Sequence, residues 1–92
     1  MKKLLKSFQH KGKEYEIVLE KRLDGMLILK DFNGGIPFSP FFHCVSDFGF
    51  IDINKIETRL DEPILKRLIL QSEEDARYWA DNKRAILGAL SN

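Results

Sequence analysis

Tyr15, Ile17 and Leu19 alternate with Glu14, Glu16 and Glu20. A period of two suits an extended chain with one face in water and the other against a core. Turn signals flank this segment, Lys11-Gly12 before it and Asp24-Gly25 after it, so it is predicted to be a strand inside an antiparallel meander. Read as a two-residue hairpin, Asp24-Gly25 sets Leu23 opposite Met26, Lys21 opposite Ile28, Leu19 opposite Lys30 and Ile17 opposite Phe32. Ile17, Leu19, Leu23, Met26, Ile28 and Phe32 then share the expected core face. Lys11-Gly12, as another tight turn, pairs Phe8 with Tyr15 on that face and Leu5 with Val18 on the reverse. Val18, Leu27 and Leu29 make the reverse face too apolar to be wholly solvated, even with Glu16, Glu20, Arg22 and Asp31 among them. Either another segment of the chain covers it or a second protein does.

Asn33-Gly34-Gly35 ends the third strand. Ile36-Pro37-Phe38-Ser39-Pro40 is expected to be a loop, because each proline lacks the N–H that a central strand needs. Phe41 to Val45 and Phe48 to Ile53 read as two short strands about a turn at Ser46-Asp47. Most of the rings at Phe38, Phe41, Phe42, Phe48 and Phe50 are expected in the core, since aromatic side chains bury the most area per residue. Phe38, bracketed by prolines, is the ring expected to be exposed. A stacking platform for single-stranded nucleic acid needs a basic groove beside its rings, and no Lys or Arg stands between Lys30 and Lys55.

Asp61-Glu62-Pro63 carries the chemistry of a helix start: a capping carboxylate, acid near the positive end of the dipole, and proline where its missing N–H is not needed. Ser72-Glu73-Glu74-Asp75 is a second such signal. A helix is predicted after it, with Ala76, Trp79, Ala80, Lys83, Leu87 and Leu90 on its inward stripe and Glu73 and Arg77 as an i,i+4 pair. Whether it starts at Ser72 or runs on from Asp61 stays open, because the stripe holds phase through Leu65 and Leu68. Leu68-Ile69-Leu70 reads equally well as a short strand. The fold class is therefore α+β, an antiparallel meander of about four to five strands packed against one or two C-terminal helices, as a single domain over residues 1–92.

Composition narrows the functions. At 43% apolar and 32% charged residues over 92 positions, the chain has the make-up of one folded domain. It lacks an apolar run long enough for a membrane helix or a signal peptide, and Cys44 is its one cysteine, so a cytoplasmic location is expected. No metal or cofactor site is expected. His10, His43 and Cys44 are the only soft ligands, and His43 and Cys44, as strand neighbours, face opposite ways. Asn33-Gly34-Gly35 lacks the Lys-Ser/Thr of a phosphate loop. No catalytic constellation is legible, and an enzyme is not expected.

Binding remains. The chain is expected to be a small protein-interaction module, an inhibitor or accessory subunit of the kind phage and mobile elements encode. Val18, Leu27, Leu29, Phe38 and Phe42 would meet a partner protein, or a second copy in a homodimer. The alternative is a nucleic-acid-binding domain using Lys2, Lys3, Lys6, Lys11 and Lys13, all of which precede the first acidic residue, Glu14. Edge lysines that discourage strand-to-strand aggregation account for that cluster at least as well.

Overall fold

The computed structural model describes residues 2–45 and 63–90. The strand expected at Phe48–Ile53, its turn at Ser46-Asp47 and the Asp61 cap lie outside the described residues. Four strands, β1 (Lys2–His10), β2 (Lys13–Lys21), β3 (Leu27–Asn33) and β4 (Ile36–Cys44), form an antiparallel meander in the order β1-β2-β3-β4. One helix, α1 (Pro63–Leu90), packs on one face of it. The α+β class follows directly from this arrangement.

The β1–β2 and β3–β4 hairpins close with two-residue turns in which both residues take positive φ: Lys11 at 51° and Gly12 at 79°, then Gly34 at 59° and Gly35 at 81°. This mirror-image turn geometry matches the right-handed twist of the strands it joins. Phe8 faces Tyr15 as the sequence predicts, but an extra residue interrupts β1 between Leu4 and Lys6. Leu4, not Leu5, therefore faces Val18. Leu5 instead packs against the core.

The β2–β3 register corrects the sequence reading by one residue. Leu23-Asp24-Gly25 is a three-residue loop: the Gly25 N–H donates to the Arg22 carbonyl at 3.0 Å, the Arg22 N–H to the Met26 carbonyl at 2.8 Å, and Gly25 takes φ 89°. Asp24 Oδ1 accepts from the Met26 N–H at 3.0 Å. Asp-Gly suits this turn-plus-bulge as well as the two-residue turn. The extra loop residue pairs Lys21 with Leu27, Leu19 with Leu29 and Ile17 with Asp31. A one-residue slip turns every β3 side chain to the other face. Leu27 and Leu29, expected on the reverse face, are core residues at 6% and 0% exposure. Ile28 and Phe32, expected under the helix, face the other way and are buried there. Leu23 stands fully exposed at the loop tip.

The segment expected to be a loop at Ile36–Pro40 belongs to β4. Two features admit its prolines: β4 is an edge strand among the described residues, and its pairing with β3 jumps between Lys30–Phe42 and Phe32–Pro37. The extra residues bulge opposite Asp31, where Ser39 Oγ accepts from the Phe41 N–H at 3.0 Å. Proline is tolerated at edges and bulges because no ladder donor is required there. Phe38 is not free: its ring sits 4.6 Å from that of Tyr15 and packs on the core.

The helix runs unbroken from Pro63 past Ser72, so the second start signal is not used. Ser72 lies buried in the helix interior, and its hydroxyl has no hydrogen-bond partner among the described residues. Leu65, Ile69, Ser72, Ala76 and Trp79 recur every three or four residues and form the inward stripe. On one flank, Glu73, Arg77 and Asp81 meet Lys6, Phe8 and His10 in turn. Four helical residues rise about 6 Å and two strand residues about 6.8 Å, so the helix stays in step along β1. On the other flank Asp75 meets His43, and Trp79 meets Phe41 edge-on with ring centroids 6.4 Å apart. β1 ends at His10. At Asn82 the helix departs from helical geometry, with φ −122° and ψ 20°. The Asn82 amide donates to the Tyr78 carbonyl at 3.0 Å. Past that point Lys83 is exposed and Leu87 is 47% exposed, so neither continues the stripe as expected.

Candidate functional site

Pairing partners share a face, so the register maps the sheet. Leu4, Val18, Lys30 and Phe42 form one row across the reverse side, from edge to edge. Ile28 and Phe32 lie beside this row and are buried, with the Lys2 ammonium 4.8 Å from the centre of the Phe32 ring. Lys30 reaches Glu20 at 2.9 Å, and this bond holds the Glu20 carboxyl below its ordinary range. At the ends of the row Leu4 is 51% and Phe42 53% exposed. Of the residues expected to meet a partner, the structure thus brings Val18 and Phe42 into one row and moves Leu27, Leu29 and Phe38 to the helix side.

The lysine set is divided. Lys6 pairs with Glu73, which also takes Arg77, and Lys11 lies 2.6 Å from Asp81 Oδ1. His10 Nε2 lies 2.9 Å from the same oxygen. These bonds, that from Lys11 first, lower the pKa of Asp81. Lys3 and Lys13 share the helix side with Lys6, whereas Lys2 is on the reverse side over Phe32.

Between β3, β4 and α1 lies a polar cluster that sequence reasoning missed. Asp31 is 2% exposed, and its Oδ1 has no hydrogen-bond partner among the described residues. Burial, and secondarily the charge of Asp75, push its pKa up to about 7. Asp75 is itself held by His43 Nε2, 3.1 Å from its Oδ2, and by the Gln71 amide, which donates to its Oδ1 at 3.0 Å. The signal for Asp31 existed in the sequence, two positions past Leu29, but it depended on the register. Cys44 faces the reverse side opposite Ile28, and its thiol donates toward Met26 Sδ at 3.7 Å. Among the described residues no three His, Cys, Asp or Glu side chains converge as metal ligands. No described helix is long and apolar enough to cross a membrane.

A third feature opens along the seam between β1 and the first half of α1. There a groove of about 300 Å³ is lined by Leu5, Lys6, Lys66, Ile69 and Leu70. Comparison with protein-family models, with characterised proteins and with solved structures yields no match to the chain.

Proposed function

We propose that the chain acts by binding a partner protein through the reverse face of its sheet. The observation that carries this reading is the row Leu4–Val18–Lys30–Phe42, which holds a half-exposed apolar side chain on each edge strand. Exposed aromatic side chains beside a buried apolar centre are the usual anchors of protein interfaces. The partner is a foreign protein that the domain inhibits or assists, or a second copy of the chain. Light scattering over a range of concentrations separates the two. Affinity capture from the native cell, run in parallel with wild type and a Leu4→Asp/Phe42→Asp variant, tests the surface. A partner held by the wild type and lost by the folded variant supports it. Equal recovery by both proteins contradicts it.

A further inference from the structure

The seam between β1 and α1 alternates opposite charges along its closed part: Lys6 against Glu73, then His10 and Lys11 against Asp81. Arg77, between them, bonds Glu73 and stacks on Phe8, 5.6 Å from the ring centre. One and two turns earlier on the same flank of the helix stand Leu70 and Lys66. Here the seam is open. A bulge at Leu5 interrupts β1 here, and a groove of about 300 Å³ lies between the strand and the helix. Its floor is apolar, formed by Leu5, Ile69 and Leu70. Its rim carries Lys66, which is exposed and has no counter-ion among the described residues, and Lys6. Among the described residues, Lys6 and Lys66 line the groove, and Glu73, which Lys6 shares with Arg77, is the acid bonded there, so the described lining is cationic.

From this we infer that the groove is a docking site for an acidic amphipathic peptide segment of a partner protein. An apolar side chain of that segment fills the Leu5–Ile69–Leu70 floor, and a neighbouring carboxylate supplies Lys66 with the partner that each closed part of the seam already has. The bulge interrupts the β1 edge, so recognition is by side chains in a groove and not by an added strand. This site lies on the helix side and does not depend on the reverse-face reading.

The test uses fluorescence anisotropy with the full chain and a fluorescein-labelled synthetic peptide carrying Leu at helical spacing and Glu elsewhere. Control peptides replace every Glu by Lys, or every Leu by Ser. Only the Leu/Glu peptide is expected to bind, with affinity falling as salt is raised. Leu70→Asp and Lys66→Glu, both at exposed positions, are each expected to weaken binding by about tenfold or more. Phe42→Asp should leave it unchanged, which separates this site from the reverse face. Absence of binding by the Leu/Glu peptide, equal binding of the Lys peptide, or insensitivity to both groove variants overturns the proposal. So does light scattering that shows a dimer dispersed by Leu70→Asp, because a second copy would then occupy the groove.

Discussion

On the helix side of the sheet, Ile17, Leu19, Leu27 and Leu29 are buried in one cluster with Leu65, Ile69 and Ala76 of α1. On the reverse side, Ile28 and Phe32 are buried too, but Leu4 and Phe42 beside them stay more than half exposed. The two faces differ in what a side chain would leave behind if removed. Beneath the helix, truncation opens a void between two elements that cannot both collapse onto it. At Phe42, truncation removes surface that water already reaches. The helix side is buried throughout this cluster, whereas the reverse side combines buried Ile28 and Phe32 with half-exposed Leu4 and Phe42, and only these last two can be changed at little cost to the fold.

Four substitutions test that contrast. Leu29→Ala is expected to lower unfolding stability by about 4 kcal/mol, within the range for a fully buried leucine. Urea denaturation would show it as a lower midpoint with little change in slope. A loss near that for an exposed site would dissolve the distinction between the faces.

Asp31→Asn should act in the opposite direction, by up to about 4 kcal/mol at pH 8. The folded-state pKa, about 7, lies above the ordinary 3.8, so folding takes up a proton between these values. The favourable contribution of Asp31 is complete below about pH 4, falls as pH rises toward 7 and is flat above that. Urea midpoints from pH 5 to 8 should therefore decline for the wild type across that window, and the Asp31 share of the decline should vanish in the variant.

Ser72→Ala should stabilise by about 1 kcal/mol, because it removes a buried hydroxyl that has no hydrogen-bond partner among the described residues and adds the better helix former. Thermal unfolding would register it, and a destabilisation would mean that the hydroxyl has a bond within the folded chain. Phe42→Ala is expected to change stability by less than about 0.5 kcal/mol. A loss approaching that of Leu29→Ala would make Phe42 a structural residue and remove it from any docking role.

The first three strands, the turns between them and a helix after Ser72 were legible because each rests on local chemistry: alternation at Tyr15–Leu19, glycine turns, and a stripe spaced by three and four. Which face β3 presents was not. Asp24-Gly25 accepts two loop lengths, and both give Leu19 an apolar or amphipathic neighbour. Only packing against α1 decides between a core of Leu27 and Leu29 and one of Ile28 and Phe32. The proline segment misled for a similar reason, since its edge position and its bulge are properties of the assembled sheet. Ser72 looked like a cap because Ser-Glu-Glu-Asp has capping chemistry, yet the stripe through Leu65 and Ile69 carries the helix past it. Asp31 and the open seam at Lys66 depend on contacts between elements far apart in sequence, which no local pattern encodes.

The orientation of β3 is the premise on which both faces and the polar cluster stand, and the Asp31 carboxyl reports it directly. A pH titration followed by the carbon-13 shift of that carboxyl should give a midpoint near 7, since the observed register buries Asp31 beneath α1 beside Asp75. A midpoint near the ordinary 3.8 would contradict the burial that this register imposes on Asp31.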